Sequence, residues 1–169
     1  GGVGLNIVQV AAAVGASVIA VDLVDEKLAL ARQLGARHVI NAGQVESLPK
    51  AVRRLTDGGV DVAFEAIGKP PTITLAFDSL RRGGRLVLVG YSQLPVELNA
   101  AKTMFFEMDV IGSLGCRPVD YPRLIALVAA GRLRLAPLIS HRLPLAEINA
   151  GMDLLRAGKS IRALVLPAA

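Results

Sequence analysis

The chain is expected to fold as an α/β protein with a doubly wound parallel sheet, and three observations predict it. A glycine-rich stretch runs into a helix, an acid closes the buried strand that follows, and strands then alternate with helices through short turns. The first stretch, Gly1-Gly2-Val3-Gly4 followed by Leu5 to Ala11, reads as the end of a phosphate loop entering a helix. Its glycines let backbone N–H groups approach a diphosphate, and the helix N-terminus supplies orphan donors and the positive end of a dipole. Gly4 is expected to let that helix pack closely on a sheet. On the glycines alone, a helix cap with small packing residues reads equally well. Ala16 to Val21 is expected as a buried strand, and Asp22 at its end offers two acceptor oxygens to the vicinal hydroxyls of an adenosine ribose. That acid follows the glycines at about the 20-residue spacing of a dinucleotide fingerprint, which decides for the nucleotide reading.

The later elements follow in order. Asp25 to Leu34 carries Leu28, Ala31 and Leu34 on one face, begins with acids and stops at Gly35, so it is expected as an amphipathic helix. Arg37 to Asn41 predicts a short strand and Val45 to Leu55 a basic helix ended by Asp57-Gly58-Gly59. Val60 to Ala66 predicts a strand, Thr72 to Leu80 a helix, and Arg85 to Val89 a strand after the Arg82-Gly83-Gly84 turn. Ala101 to Glu107 then predicts a short helix, Val110 to Ser113 a strand and Tyr121 to Ala130 a helix closed by Gly131. Pro137 to Leu143 reads as extended, Ala146 to Ala157 as a helix with Ile148, Met152 and Leu155 inward, and Ser160 to Leu166 as a last strand. Such alternation requires right-handed crossovers, which put every strand's C-terminal end on one edge. Asp22, Ile67, Tyr91 and Ser113 stand just past strands and should converge on one crevice.

Composition agrees with this class. The 169 residues suffice for a domain with a proper core, and 53% are hydrophobic against 20% charged, which suits an aliphatic sheet covered on both faces. The net charge of +5 is scattered, with no basic run and no interleaved aromatics, so nucleic acid is not an expected partner. Nothing reads as a membrane span or a signal peptide. The single cysteine, Cys116, allows no internal disulfide or metal cage and fits a reducing cytoplasm. His38 and His141 neighbour no Ser, Cys or acid at a catalytic spacing, and Glu65, Asp61, Asp78 and Glu107 read as strand-end or helix-surface charges.

These residues together resemble the coenzyme-binding, C-terminal part of the zinc-dependent, medium-chain alcohol dehydrogenase family. Gly1-Gly2-Val3-Gly4 matches the last four positions of the family's G-x-G-G-V-G loop. The tail is similar as well, through Pro137-Leu138-Ile139-Ser140-His141-Arg142-Leu143-Pro144, Glu147-Ile148-Asn149 and Leu154 to Arg162. The resemblance implies a Rossmann-like sheet truncated at its start, with C-terminal helices and strands returning toward a catalytic domain that would precede Gly1. It implies that Asp22 and Lys27 hold the adenosine ribose, and that Ile67, Gly68 and Lys69 line the adenine and diphosphate side. Val89, Gly90 and Tyr91, with Ser113 and Leu114, would hold the nicotinamide, and Arg162 would reach the diphosphate with a planar five-donor fork. Read by spacing alone, Lys27 and Lys69 are ordinary solvated lysines, Val89 is a core strand residue and Arg162 a surface arginine.

Asp22 repels a 2′-phosphate and Leu23 supplies no compensating cation, so NAD is expected over NADP. The family's zinc and its proton relay would lie in the preceding domain, leaving these residues no catalytic or metal-ligating role of their own. Residues 1–115 are expected as the dinucleotide-binding domain and 116–169 as the segment packing back toward the catalytic domain. The whole would oxidise a small alcohol or polyol, as a homo-oligomer paired through the strand near Val110 to Ser113. The alternative is a non-catalytic module that keeps only this dimerisation surface. In the sheet order 3-2-1-4-5-6, lack of the first strand would leave its neighbours roughly 10 Å apart, or else the sheet would close up.

Overall fold

Parallel pairing organises the chain, as alternating strands and crossover helices require. The computed structural model describes residues 1–167, so the last two residues of the expected 116–169 segment lie outside the described residues. In order, the elements are α1 (Gly2–Ala13), β1 (Ile19–Asp22), α2 (Asp25–Gln33), β2 (His38–Asn41), α3 (Leu48–Leu55), β3 (Val60–Glu65), α4 (Pro70–Asp78), β4 (Leu80–Leu88), α5 (Ala100–Phe105), β5 (Asp109–Gly112), α6 (Tyr121–Ala129), β6 (His141–Pro144), α7 (Ile148–Arg156) and β7 (Ala163–Leu166). Every ladder among the described residues is parallel: β1 with β2, β4 between β3 and β5, and β6 with β7. The α/β class with parallel sheets is as expected.

The ladders break between β1 and β3, at the place that the order 3-2-1-4-5-6 assigns to its first strand. The sheet has not closed up. Helix α1 lies across the break: Leu5 and Val8 join Ala20 of β1, Ala31, Leu34, Ala36 and Leu138 in one core cluster, and α1 also touches β3. A second cluster of Ile73, Phe77, Leu80, Leu86 and Met108 fills the space between α4 and the β3-β4-β5 sheet. Leu86 and Phe77 are the most deeply buried large side chains there, and Lys102 Nζ closes the cluster from outside, 4.7 Å from the Phe77 ring centre and 2.8 Å from Asp78 Oδ1. Coverage on both faces is incomplete, because Val62 and Phe64 of β3 and Val110 and Ile111 of β5 stay well exposed.

Several boundaries move for local reasons. Helix α3 begins at Leu48 rather than Val45, since Pro49 suits a first turn and Ser47 takes the extended cap position. Strand β4 runs back to Leu80, through the expected turn, by a register shift against β3 between Val60 and Val62. Strand β7 starts at Ala163, because the amides of Ile161 and Arg162 donate to Ser140 Oγ at 3.0 and 3.2 Å instead of entering a ladder. The inward face expected for the last helix is a correction. Ile148, Met152 and Leu155 are exposed, and α7 buries Gly151, where a Cβ would stand 2.7 Å from Leu143 Cδ1. Close approach to β6 selects that glycine face over the larger apolar one. Gly35, by contrast, ends α2 at φ +111° as its position suggested.

The break also makes a measurable prediction. Joining an apolar, valine-rich strand ahead of Gly1 should raise the thermal midpoint and sharpen the transition, because it can pair with both β1 and β3. Equal midpoint and cooperativity with and without the added strand would refute this account of the sheet.

Candidate functional site: the strand-end crevice

The residues singled out in the sequence gather in two groups at the C-terminal edges of the strands. The first is built on the start of α1. Gly1 is its cap residue, no side chain caps it and its first turn holds no acid, so its leading N–H groups have no side-chain acceptor from the helix itself. Gly2 is buried, and a Cβ there would lie 3.0 Å from Arg162 Nη2 and 3.2 Å from the Ile161 carbonyl. The guanidinium therefore sits against the first turn of α1, where a positive dipole end and a planar fork would act on the same anion. Ser140 sets this placement, accepting from the amides of Ile161 and Arg162 while its own amide donates to the Arg162 carbonyl at 2.9 Å.

Asp22 closes the group from β1. Its Oδ1 accepts from the amides of Leu23 and Val24 at 2.8 and 3.1 Å, which fixes the carboxylate, while Oδ2 points to the Gly1 nitrogen at 4.0 Å. Oδ2 is thus the oxygen left for a ligand's hydroxyl. Lys27 is half-buried on the first turn of α2. Gly4 differs from its expected role: a Cβ there would meet nothing within 4 Å, because the sheet is open beneath α1. The close approach belongs to Gly2 instead. Val3 is half-exposed on the same turn.

The second group is built on the ends of β3 and β4. Gly68 adopts φ +79°, and a Cβ there would fall 2.1 Å from the Tyr91 carbonyl oxygen. Gly90 is equally constrained, since its Cβ would fall 2.2 Å from the Gly68 nitrogen and 2.7 Å from Glu65 Oε2. Only glycines permit this contact between the two loops. Val89 and Gly90 donate to the Glu65 carbonyl at 2.8 and 2.9 Å, and Ser113 donates to the Leu88 carbonyl at 2.9 Å, so the ends of β3, β4 and β5 are laced in register. Ile67, Lys69, Tyr91 and Leu114 project as exposed side chains around this junction.

Among the described residues no hydrogen bond joins the two groups directly; α1 against β3, and α3 against α4 with Arg53 Nη2 donating to the Asp78 carbonyl at 2.9 Å, relate the elements that carry them. A cavity of about 380 Å³ between β2 and α3, lined by Val39, Asn41, Gln44, Arg54 and neighbours, contains none of these residues. Sequence reading missed three contributors. Glu65, taken as a strand-end charge, is buried and bonded to both loops. Ser140 orders the Arg162 segment, and buried Gln9 ties α1 to the returning chain through Arg134, accepting from its amide at 2.7 Å and donating to its carbonyl at 3.2 Å. An acid ending an apolar strand and a glutamine on the apolar face of a helix were the available signals.

The comparisons with known proteins bear on family and fold. Residues 2–130 match the zinc-binding dehydrogenase family. The D-arabitol-phosphate dehydrogenase of Enterococcus avium is 31% identical over 98% of the chain, which spans 48% of that protein. Among solved structures, a zinc-binding alcohol dehydrogenase domain protein from Burkholderia ambifaria superposes with a TM-score of 0.93 at 30% identity, covering 100% of this chain and 47% of its own. The benzyl alcohol dehydrogenase of Acinetobacter calcoaceticus superposes at 0.91 and 31% identity, covering 98% and 47%. The chain spans about half the length of these relatives, and it belongs to the zinc-binding dehydrogenase family, as a piece of its coenzyme-binding part.

Proposed function

We propose that this chain binds NAD and presents its nicotinamide for hydride transfer from a small alcohol or polyol. The observation that carries the reading is the first group: an uncapped helix N-terminus, the Arg162 guanidinium against Gly2, and Asp22 Oδ2 directed at Gly1. These suit a dinucleotide. The α1 amides and Arg162 would hold the diphosphate, with Gly1, Gly2, Val3 and Gly4 keeping that turn free of bulk. Asp22 would accept from a ribose hydroxyl through Oδ2, with Lys27 beside it. Ile67, Gly68 and Lys69 would form the adenine and diphosphate side, and Val89, Gly90, Tyr91, Ser113 and Leu114 the nicotinamide side.

When bound, the nicotinamide ring accepts a hydride from an alcohol carbon. The residues here contribute binding and orientation, which is where proximity lowers a barrier. We place the zinc that polarises the alcohol outside residues 1–169. The names of the relatives, which act on a benzyl alcohol and on arabitol phosphate, support the broad substrate class. Division into a dinucleotide-binding unit at 1–115 and a returning segment from 116 is part of the same proposal. So is pairing of two copies along β5, whose residues are all exposed and form the free edge of their sheet.

Calorimetry with NAD, and with adenosine 5′-diphosphoribose as control, tests the core of this reading. Asp22→Ala should weaken NAD binding about 10- to 100-fold, the weight of a hydrogen bond to a charged group, and should narrow the preference over NADP. Unchanged affinity in that variant would remove Asp22 from the site. Arg162→Ala should weaken NAD and the diphosphoribose alike, by about tenfold or more, because both carry the diphosphate. A loss confined to NAD would place Arg162 at the nicotinamide instead. Alone, the chain should oxidise no alcohol; zinc-dependent turnover by the purified chain, followed as NADH absorbance, would overturn the placement of the zinc chemistry.

A further inference from the structure

Glu65 is buried, with 3% of its surface exposed, and it forms no ion pair with a cation among the described residues. A carboxylate so placed needs other donors, and it has them. Oε1 accepts from the amides of Ile67 and Gly68 at 2.9 and 3.0 Å, and Oε2 accepts from Gly68 at 3.0 Å. Thr72 Oγ1, on the first turn of α4, lies 2.7 Å from Oε1 and 2.9 Å from the Lys69 carbonyl, so its single proton serves one of them at a time. The main-chain carbonyl of Glu65 accepts from Val89 and Gly90. Successive amides wrapped around an anion form a nest, and here the anion belongs to the protein.

We infer that Glu65 is the positioning residue of the dinucleotide crevice, a buried carboxylate that holds the Ile67–Gly68 turn against Gly90 and so sets the spacing between the loops without touching the ligand. This rests on the dinucleotide reading given above. Gly90 has room for no side chain because the Glu65 carboxylate and the Gly68 amide occupy that space. Gly68 in turn holds a left-handed backbone that the two carboxylate oxygens fix. Without the carboxylate, two amides lose their acceptor and the turn is free to move toward the crevice. Glutamine keeps the length and one acceptor oxygen for Ile67, whereas alanine keeps neither.

The test compares Glu65→Ala and Glu65→Gln with Phe77→Leu, a core substitution remote from both loops, in the intact chain at a temperature where melting curves show every variant folded. Expected is an NAD affinity at least tenfold weaker for E65A, within threefold of the parent for E65Q, and within twofold for F77L even when its midpoint falls as far as that of E65A. The inference is overturned if E65A binds within threefold of the parent, if E65Q is as weak as E65A, or if F77L loses as much. Hydrogen exchange at the Ile67 and Gly68 amides is read on the same samples without ligand. It should quicken at least tenfold in E65A relative to F77L, and equal rates would overturn the inference. A parent that binds no NAD but shows this change in exchange would remove the dinucleotide reading and leave the clamp standing.

Discussion

The packing of α1 across the break between β1 and β3 is the constraint on which the rest of the structure depends. Strands joined by a ladder are positioned by backbone hydrogen bonds, but β1 and β3 share none, so the β1-β2 pair and the β3-β4-β5 sheet are related by helix packing, α1 on β3 and α3 on α4. Leu5 and Val8 carry one side of that contact into the cluster with Ala20 and Ala31, and Gln9 fastens the helix to the returning chain at Arg134. The same helix carries the N-terminus against which the Arg162 guanidinium sits. An element that holds two half-sheets together is therefore also the one that would hold the diphosphate, and a shift of α1 alters the core and the site at once.

Surface charge adds little to this arrangement. Arg81 holds the Asp61 carboxyl below the usual carboxylate range through a 2.7 Å hydrogen bond, but Asp61 is almost fully exposed, so solvent screens the pair. Arg85 and Asp109 link β4 to β5 in the same exposed manner. The consequential polar groups are the buried ones, Glu65, Gln9, Ser79 and Ser160, and each is bonded. Buried polar groups that are fully satisfied specify geometry more than they add stability. Glu65 specifies the spacing of two loops, and Ser140, bonded to Ser160, specifies where Arg162 begins.

Much of this was legible in the sequence, for reasons that can be assigned to particular residues. Alternating apolar runs and turns gave the order of elements, because a parallel sheet needs long apolar strands and crossovers whatever its neighbours do. Asp22 was legible as an acid closing a strand, but it was not legible that Oδ1 would fix the turn by accepting from the amides of Leu23 and Val24, nor that Val21 beside it would be exposed. Gly68 and Gly90 were legible only through resemblance. Their close contact joins residues that are distant along the chain, which no local pattern encodes. The outward turn of Ile148, Met152 and Leu155 could not be read at all, since periodicity reports an apolar face but not which partner comes near enough to bury it. Gly151 won that contest through proximity to Leu143.

Glu65 shows the limit most clearly. As a letter in the sequence it is a charge at a strand end, and the bland expectation for such a charge is solvent. Its burial follows from the glycine past the end of the neighbouring strand: with any side chain at position 90 the carboxylate could not lie where it does, and with it displaced the amides of Ile67 and Gly68 would have no acceptor. The acid and the glycines thus form one unit whose members are uninformative singly. The same logic joins Gly2 to Arg162, where a missing side chain makes room for a guanidinium from the far end of the chain. In both places small residues create the space and a long polar side chain fills it.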